Sequence, residues 1–372
     1  MRAVRVLLAA VIAALMLAVP IFADETYTTD DFDLSGVLDS LDEDVRARLP
    51  DGAFESDGFV ERFSFDYFFS LFRDVLVAAL APALKSLAAT LGLIIIASIL
   101  SALKGAMNLH TLSAPFELAS GMCIMLTLYN TAVSTVDTVE VYLAQLSSVV
   151  NAMVPVTIAI GTAGGNISAS SVSGSAMLLG LSVVETLAGQ ALYPILQLCF
   201  GLSVASGVGR VPGLESISKA VRGTFTWVLG LVSALISAVM TFQTSIASRA
   251  DSLSMRAVKF AASKSVPVVG GIASDAVSAV AESLALVKST VGWAGVIIIA
   301  VMTLPVIVNI VLMRLGIIAA AISADVLGLE RERRVLEEIA GLFGSLAAIC
   351  VIAALMFVYA LAVFAKSAVA MK

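Results

Sequence analysis

The sequence predicts an all-α polytopic membrane protein, and three observations carry that prediction. The chain has 372 residues, 59% of them in AVILMFWYC before its 26 glycines are added, whereas soluble domains reach roughly 45–50% with glycine included. Charged residues make up 13%, against about 25% in soluble domains. A mean hydropathy of +1.02 leaves too little polar surface to cover a water-soluble globule. The same figures exclude a disordered chain and a nucleic-acid module, which need high net charge or a clustered basic face. Cys123, Cys199 and Cys350 lie far apart in apolar segments, a pattern that fits neither a disulfide framework nor a cysteine metal site.

The first 23 residues read as a secretory signal. Arg2 and Arg5 form the positive n-region, residues 6–19 the apolar h-region, and Ala23 stands as a small residue after Pro20-Ile21-Phe22. An uncleaved anchor is the other reading. Either way, the segment that follows is delivered across the membrane. That segment, 24–74, holds fifteen Asp/Glu against four Arg, so the acidic excess of the whole chain is concentrated there. Leu38, Leu41, Val45 and Leu49 are spaced three or four apart, which predicts a short helix over 39–48. The acids do not follow the spacing of a calcium loop, and a solvated face is expected instead. The aromatic run from Phe63 to Phe69 suits a membrane interface.

The body, 75–372, divides into apolar stretches long enough to span, since about 20 residues cover the hydrocarbon core. Clear stretches are 86–103, 115–136, 224–247, 291–313 and 341–365. Two others are interrupted: 141–163 by Asn151 and Pro155, and 175–208 by Glu185 and Pro194. Six to eight spans follow. The charge rule does not orient them, because Lys219 and Arg222 flank one end of the 224–247 stretch while Arg249, Arg256, Lys259 and Lys264 flank the other.

Proline spacing suggests an internal repeat of about 112 residues. Pro82, Pro194 and Pro305 each introduce an apolar stretch, and Val154-Pro155-Val156 and Val266-Pro267-Val268 are each followed by glycines, Gly161, Gly164 and Gly165 in one case and Gly270 and Gly271 in the other. If the repeat is real, residues 151–174 and 264–275 are candidate unwound linings of a central site, as in repeat-built transport folds. Ordinary loops are the alternative. Glu185 is a candidate intramembrane carboxylate, or else a protonated or helix-paired one that orders packing. Arg314, at the end of its stretch, is expected to reach for the interface. Gly161/Gly165 and Gly292/Gly295 allow close helix approach.

Catalytic signals are absent from this pattern. His110 has no cysteine or acid placed to form a metal or nucleophile constellation with it. Gly161-Thr162-Ala163-Gly164-Gly165 is not followed by the Gly-Lys-Ser/Thr of a phosphate loop. No enzyme activity and no cofactor are expected.

The most specific stretch runs Ser254-Met255-Arg256-Ala257-Val258-Lys259-Phe260-Ala261, then Val266-Pro267-Val268-Val269-Gly270-Gly271, Ser274-Asp275-Ala276, Leu286-Val287-Lys288 and Val291-Gly292. On these residues the chain resembles the stage III sporulation protein AE family of endospore-forming bacteria. The resemblance implies a polytopic component of the mother-cell membrane around the engulfed forespore. It also implies partners: the other proteins of the stage III A operon, among them a secretion-type ATPase and ring-forming proteins, and a forespore membrane protein. The assembly would be a channel, or feeding tube, on which late forespore gene expression depends. No catalytic residues carry over. Read physically, 248–290 is an amphipathic basic connector whose Arg256 and Lys259 face either anionic lipid or a partner. A secondary transporter for a small solute is the alternative function.

Overall fold

The computed structural model describes residues 35–50, 63, 65–106, 113–163, 167–186, 190–191, 194–195, 197–199, 201–202, 214–265 and 270–367, and among these there is no strand. The candidate signal, Gly164, Gly165, His110 and Pro267 lie outside the described residues. Two short helices, α1 (Ser35–Asp39) and α2 (Glu43–Arg46), precede six long ones. The long helices are α3 (Phe65–Ala106), α4 (Ser113–Ala163), α5 (Ile167–Thr186), α6 (Leu214–Ser265), α7 (Gly270–Val326) and α8 (Glu330–Ser367). All six are long and apolar enough to cross a membrane. Among the described residues the count is thus six, within the six to eight that hydropathy sets.

The difference lies in how the apolar stretches are joined. Residues 115–136 and 141–163 form one helix, α4, although Asp137 and Glu140 interrupt the hydropathy between them. Charge alone does not end a helix, and no glycine or proline lies between the two stretches. Pro155 also continues α4 rather than breaking it, so residues 151–163 are helical and not an unwound lining. A proline in such a helix is tolerated where neighbouring groups serve the freed carbonyls. Pro82 and Pro305 likewise sit inside α3 and α7. Within the connector, 248–265 continue α6 and 270–290 belong to α7. At 57 residues α7 is about 85 Å long, far more than the roughly 30 Å of hydrocarbon, so it projects well beyond the bilayer.

The centre of the bundle is the α7–α8 hairpin, the most extensive helix pair, and α8 packs on α4, α5 and α6 as well. Its turn has a defined chemistry. Gly328 takes φ +73°, the left-handed conformation that glycine adopts at no steric cost. Leu329 N–H donates to Ala324 C=O at 2.9 Å and Gly328 N–H to Asp325 C=O at 3.0 Å. This is the paired C-terminal capping motif, and its apolar contact is present too, with Leu329 and Ala324 both buried. Glu330 and Glu332 then open α8, where the helix dipole favours acids.

The described part of the acidic segment docks on the bundle. The expected 39–48 helix is split, because Asp42 breaks it and accepts a hydrogen bond from Glu43 N–H at 2.8 Å as the N-cap of α2. Val37, Leu41, Val45 and Leu49 are buried, and α1 packs on α4. Gln145 donates to Asp42 Oδ2 at 2.6 Å, and the Tyr67 hydroxyl donates to the Arg48 carbonyl at 2.8 Å. Phe63 is buried in an edge-to-face contact with Tyr67, so part of the aromatic run serves this docking. A segment too short for its own core completes one by borrowing α3 and α4.

Glycine and hydroxyl contacts fix the helix spacings. A Cβ at residue 295 would fall 2.5 Å from Met153 Sδ and 2.7 Å from Leu361 Cδ1, as the small-residue reading of Gly295 expects. Deeper in, Thr303 donates to the Ile299 carbonyl at 2.6 Å, which leaves its oxygen to accept from the buried Tyr142 hydroxyl at 2.8 Å. This bond ties α4 to α7. Tyr142→Phe keeps the ring and removes the donor, so a loss of about 1 kcal/mol is expected, read as a lowered melting midpoint in detergent. An unchanged midpoint would show that the bond contributes nothing net.

Candidate functional site

One helix of the bundle turns several polar side chains inward. The face of α6 that meets its neighbours mixes the polar Ser218, Arg222, Thr226, Ser233, Ser237 and Thr241 with the apolar Val221, Phe225, Leu229 and Ile236, and Ser218, Arg222, Leu229 and Ser233 are buried. The opposite face exposes Trp227, Leu231, Leu235, Val239, Phe242 and Ile246. An apolar outer face with polar groups turned toward the bundle suits a helix in lipid. Thr226 satisfies the Arg222 carbonyl at 2.9 Å and Thr241 the Ser237 carbonyl at 2.8 Å, so these hydroxyls cost little by themselves. Thr241 then accepts from Tyr359 of α8 at 2.6 Å.

Arg222 makes the strongest link. Its Nη2 lies 2.7 Å from Glu338 Oε2 of α8, and its Nη1 donates to the Glu338 carbonyl. The side chains are 7% and 3% exposed, so the pair is out of water and both charges depend on each other. Lys219, one turn earlier on α6 and 58% exposed, reaches the other carboxylate oxygen at 3.5 Å. Two glycines on successive turns of α8 make room for guanidinium groups. A Cβ at residue 341 would lie 2.5 Å from Arg222 Nη1, and one at residue 344 would lie 2.8 Å from Arg314 Cζ of α7. The Nε of Arg314 is buried and has no hydrogen-bond partner. A small cavity beside Arg222 is walled by Phe225, Leu342, Leu346 and Ile349. The arrangement joins α6, α7 and α8 through charge, and removing either member of the pair leaves the other buried and uncompensated.

The residues singled out from sequence are not gathered here. Glu185 is exposed in the last described turn of α5. Pro155 is exposed on α4 and Pro305 half-buried in α7. Arg256 and Lys259 lie in the last turns of α6, while Gly270, Gly271 and Asp275 open α7. Arg314 does stand at the site, over Gly344 of α8. Glu338 and its pairing with Arg222 were missed. The signal available was positional, since Arg222 precedes the 224–247 stretch and Glu338 the 341–365 stretch by two or three residues. Among the described residues no three His, Cys, Asp or Glu side chains are grouped as metal ligands.

Six long apolar helices among the described residues, one of them turning polar groups inward, and a buried ion pair between helices define a polytopic α-helical membrane protein. The family model for stage III sporulation protein AE matches residues 57–368, and the chain belongs to that family. Its role is accordingly in sporulation. No curated protein and no solved structure is matched.

Proposed function

We propose that the protein is a non-enzymatic membrane core component of the mother-cell to forespore channel complex, seated in the mother-cell membrane around the forespore. The observation that carries this reading is the extent of the family match, which runs from residue 57 to 368 and so covers all six long helices. The sporulation role therefore belongs to the membrane bundle itself. A bundle whose helices are joined by an Arg–Glu pair and close glycine contacts is a platform: it holds geometry, and its long helices carry the chain out of the bilayer toward partners. Its partners are the other stage III A operon proteins, including the secretion-type ATPase and the ring-forming proteins, and a forespore membrane protein. The acidic segment is the part exported, after removal of the signal near Asp24.

The test is purification of the tagged protein from sporulating cells. Recovery of the other operon products with it, an N-terminus near Asp24, and loss of a late forespore reporter in its absence are the expected results. Recovery of the protein alone, with normal reporter expression in the deletion strain, would overturn the reading. One observation favours a secondary transporter instead, the buried Ser233 hydroxyl on the inner face of α6, which has no hydrogen-bond partner. Solute flux into liposomes containing the purified protein alone would select that alternative.

A further inference from the structure

The outer wall of the bundle is of two kinds. α3 exposes Leu84, Ile95 and Ile99, and α6 exposes Leu231, Leu235 and Phe242, surfaces made for lipid. The α4–α5 hairpin differs. α4 exposes Ser134, Asp137, Ala144, Ser148, Asn151 and Pro155, and α5 exposes Ser168, Ser171, Ser175, Ser182 and Glu185, with Val141, Leu178 and Leu179 as the large apolar side chains among them.

These residues form one continuous side. The two helices meet where Gly161 lies against Ser170 and Gly174 against Val154 and Ile158, so they run antiparallel. At about 100° per residue, Asn151, Pro155 and Ser148 lie roughly 60–120° round α4 from Val154, and Ser171, Ser182 and Ser175 roughly 100–140° round α5 from Ser170. In an antiparallel pair, turns of the same sense lead to the same side. α8 lies on the other, where its Phe357 meets Gly180. Depth follows from length. α5 has 20 residues, about 30 Å, the thickness of the hydrocarbon, which places Ser175 near its middle. Asn151 is ten residues, about 15 Å, along α4 from Gly161, at a similar depth. Ser171, Ser175 and Ser182 donate to the carbonyls of Ile167, Ser171 and Leu178, which eases each hydroxyl toward lipid. An amide has two donors and an acceptor, more than its own helix can serve, so Asn151 calls for water. Toward the start of α4 the same side continues through Ala144 and Asp137, past Gln145, where the acidic segment docks through Asp42.

We propose that this side of the α4–α5 hairpin is one wall of a water-filled path that enters the membrane where the acidic segment docks. Neither helix contains Lys or Arg, while Asp137, Glu140 and Glu185 are carboxylates, so the path admits small cations and neutral polar solutes over anions. The inference deepens the channel reading, on which the opening of the path toward the exported side rests.

The experiment substitutes single cysteines into the full-length protein carrying Cys123→Ser, since Cys123 is exposed and Cys199 and Cys350 are buried. Membranes from sporulating cells are treated with a cationic and with an anionic methanethiosulfonate. A thiol reacts as its thiolate, which forms in water and not among acyl chains. Asn151→Cys and Ser175→Cys should therefore react about tenfold or more faster than Leu235→Cys of α6 and Ile95→Cys of α3. The cationic reagent should be the faster at both wet positions. Ser148→Cys, a change of one atom, should behave as Asn151→Cys does, and it decides the question if Asn151→Cys does not accumulate. Rates at 148, 151 and 175 no higher than at 95 and 235 would overturn the wall, and a faster anionic reagent would overturn its preference. Labelling of the protein alone in liposomes that is lost in cell membranes would overturn the path in favour of a protein-covered surface. Fast labelling in both settings, with none of the operon products recovered alongside the protein, would keep the wall and overturn the complex instead.

Discussion

Gly161→Val is expected to prevent accumulation of the protein in the membrane. A Cβ at residue 161 would lie 1.6 Å from Ser170 Oγ and 2.5 Å from Ser170 Cβ, with Phe364 of α8 at 3.7 Å. The Ser170 Cβ is held by its own backbone, so rotation of the hydroxyl does not relieve the clash. The α4–α5 pair would have to separate, and overpacking of this kind costs several kcal/mol, a large fraction of the stability of a whole domain. Gly92, with nothing within 4 Å of its added Cβ, is the internal comparison, and Gly92→Ala should be accommodated. Protein level by immunoblot and melting in detergent read the result. Ser170→Gly should restore part of the loss in Gly161→Ala. A Gly161→Val protein that melts with the wild type would mean the two helices are not held this closely.

The second large effect is expected at Glu338. Removing its carboxylate in Glu338→Ala leaves the Arg222 guanidinium at 7% exposure with only a carbonyl for company. Breaking a buried pair from one side costs about 3–5 kcal/mol, whereas replacing both members with apolar residues of similar size is often close to neutral. The pair is thus tested by a cycle. Glu338→Ala and Arg222→Ala should each lower the melting midpoint sharply, and the double change Arg222→Leu with Glu338→Leu should recover most of it. Strictly additive losses would show that the two charges act independently.

Much of the architecture was legible because it follows from solvent. An apolar chain of this composition has one low-energy solution in lipid, in which every backbone group is satisfied within its own helix. The readings of Gly161 and Gly295 as sites of close approach also hold, since a missing side chain is visible in sequence wherever it lies. What sequence concealed was pairing. Arg222 and Glu338 are 116 residues apart, and each alone looks like a charge at the mouth of a span. Gly341 and Gly344 are unremarkable until Arg222 and Arg314 are placed over them. The continuity of α4 through Asp137, Glu140 and Pro155 was hidden for a different reason. Hydropathy marks where lipid is tolerated, while helix termination depends on caps and neighbours.

The separation of Arg222 from Glu338 also sets an order of biosynthesis. Chains are made from the N-terminus, so α6 is threaded into the bilayer well before α8 has been translated. Its polar inner face and Arg222 then have no Glu338 to meet, and Lys219 and Arg222 near its entry end are left to the headgroups in the meantime. The bundle can close on that side when the last span arrives. A truncated chain lacking α8 should therefore leave α6 inserted and packed on α5 but with Arg222 short of its carboxylate, a recognisable substrate for membrane quality control.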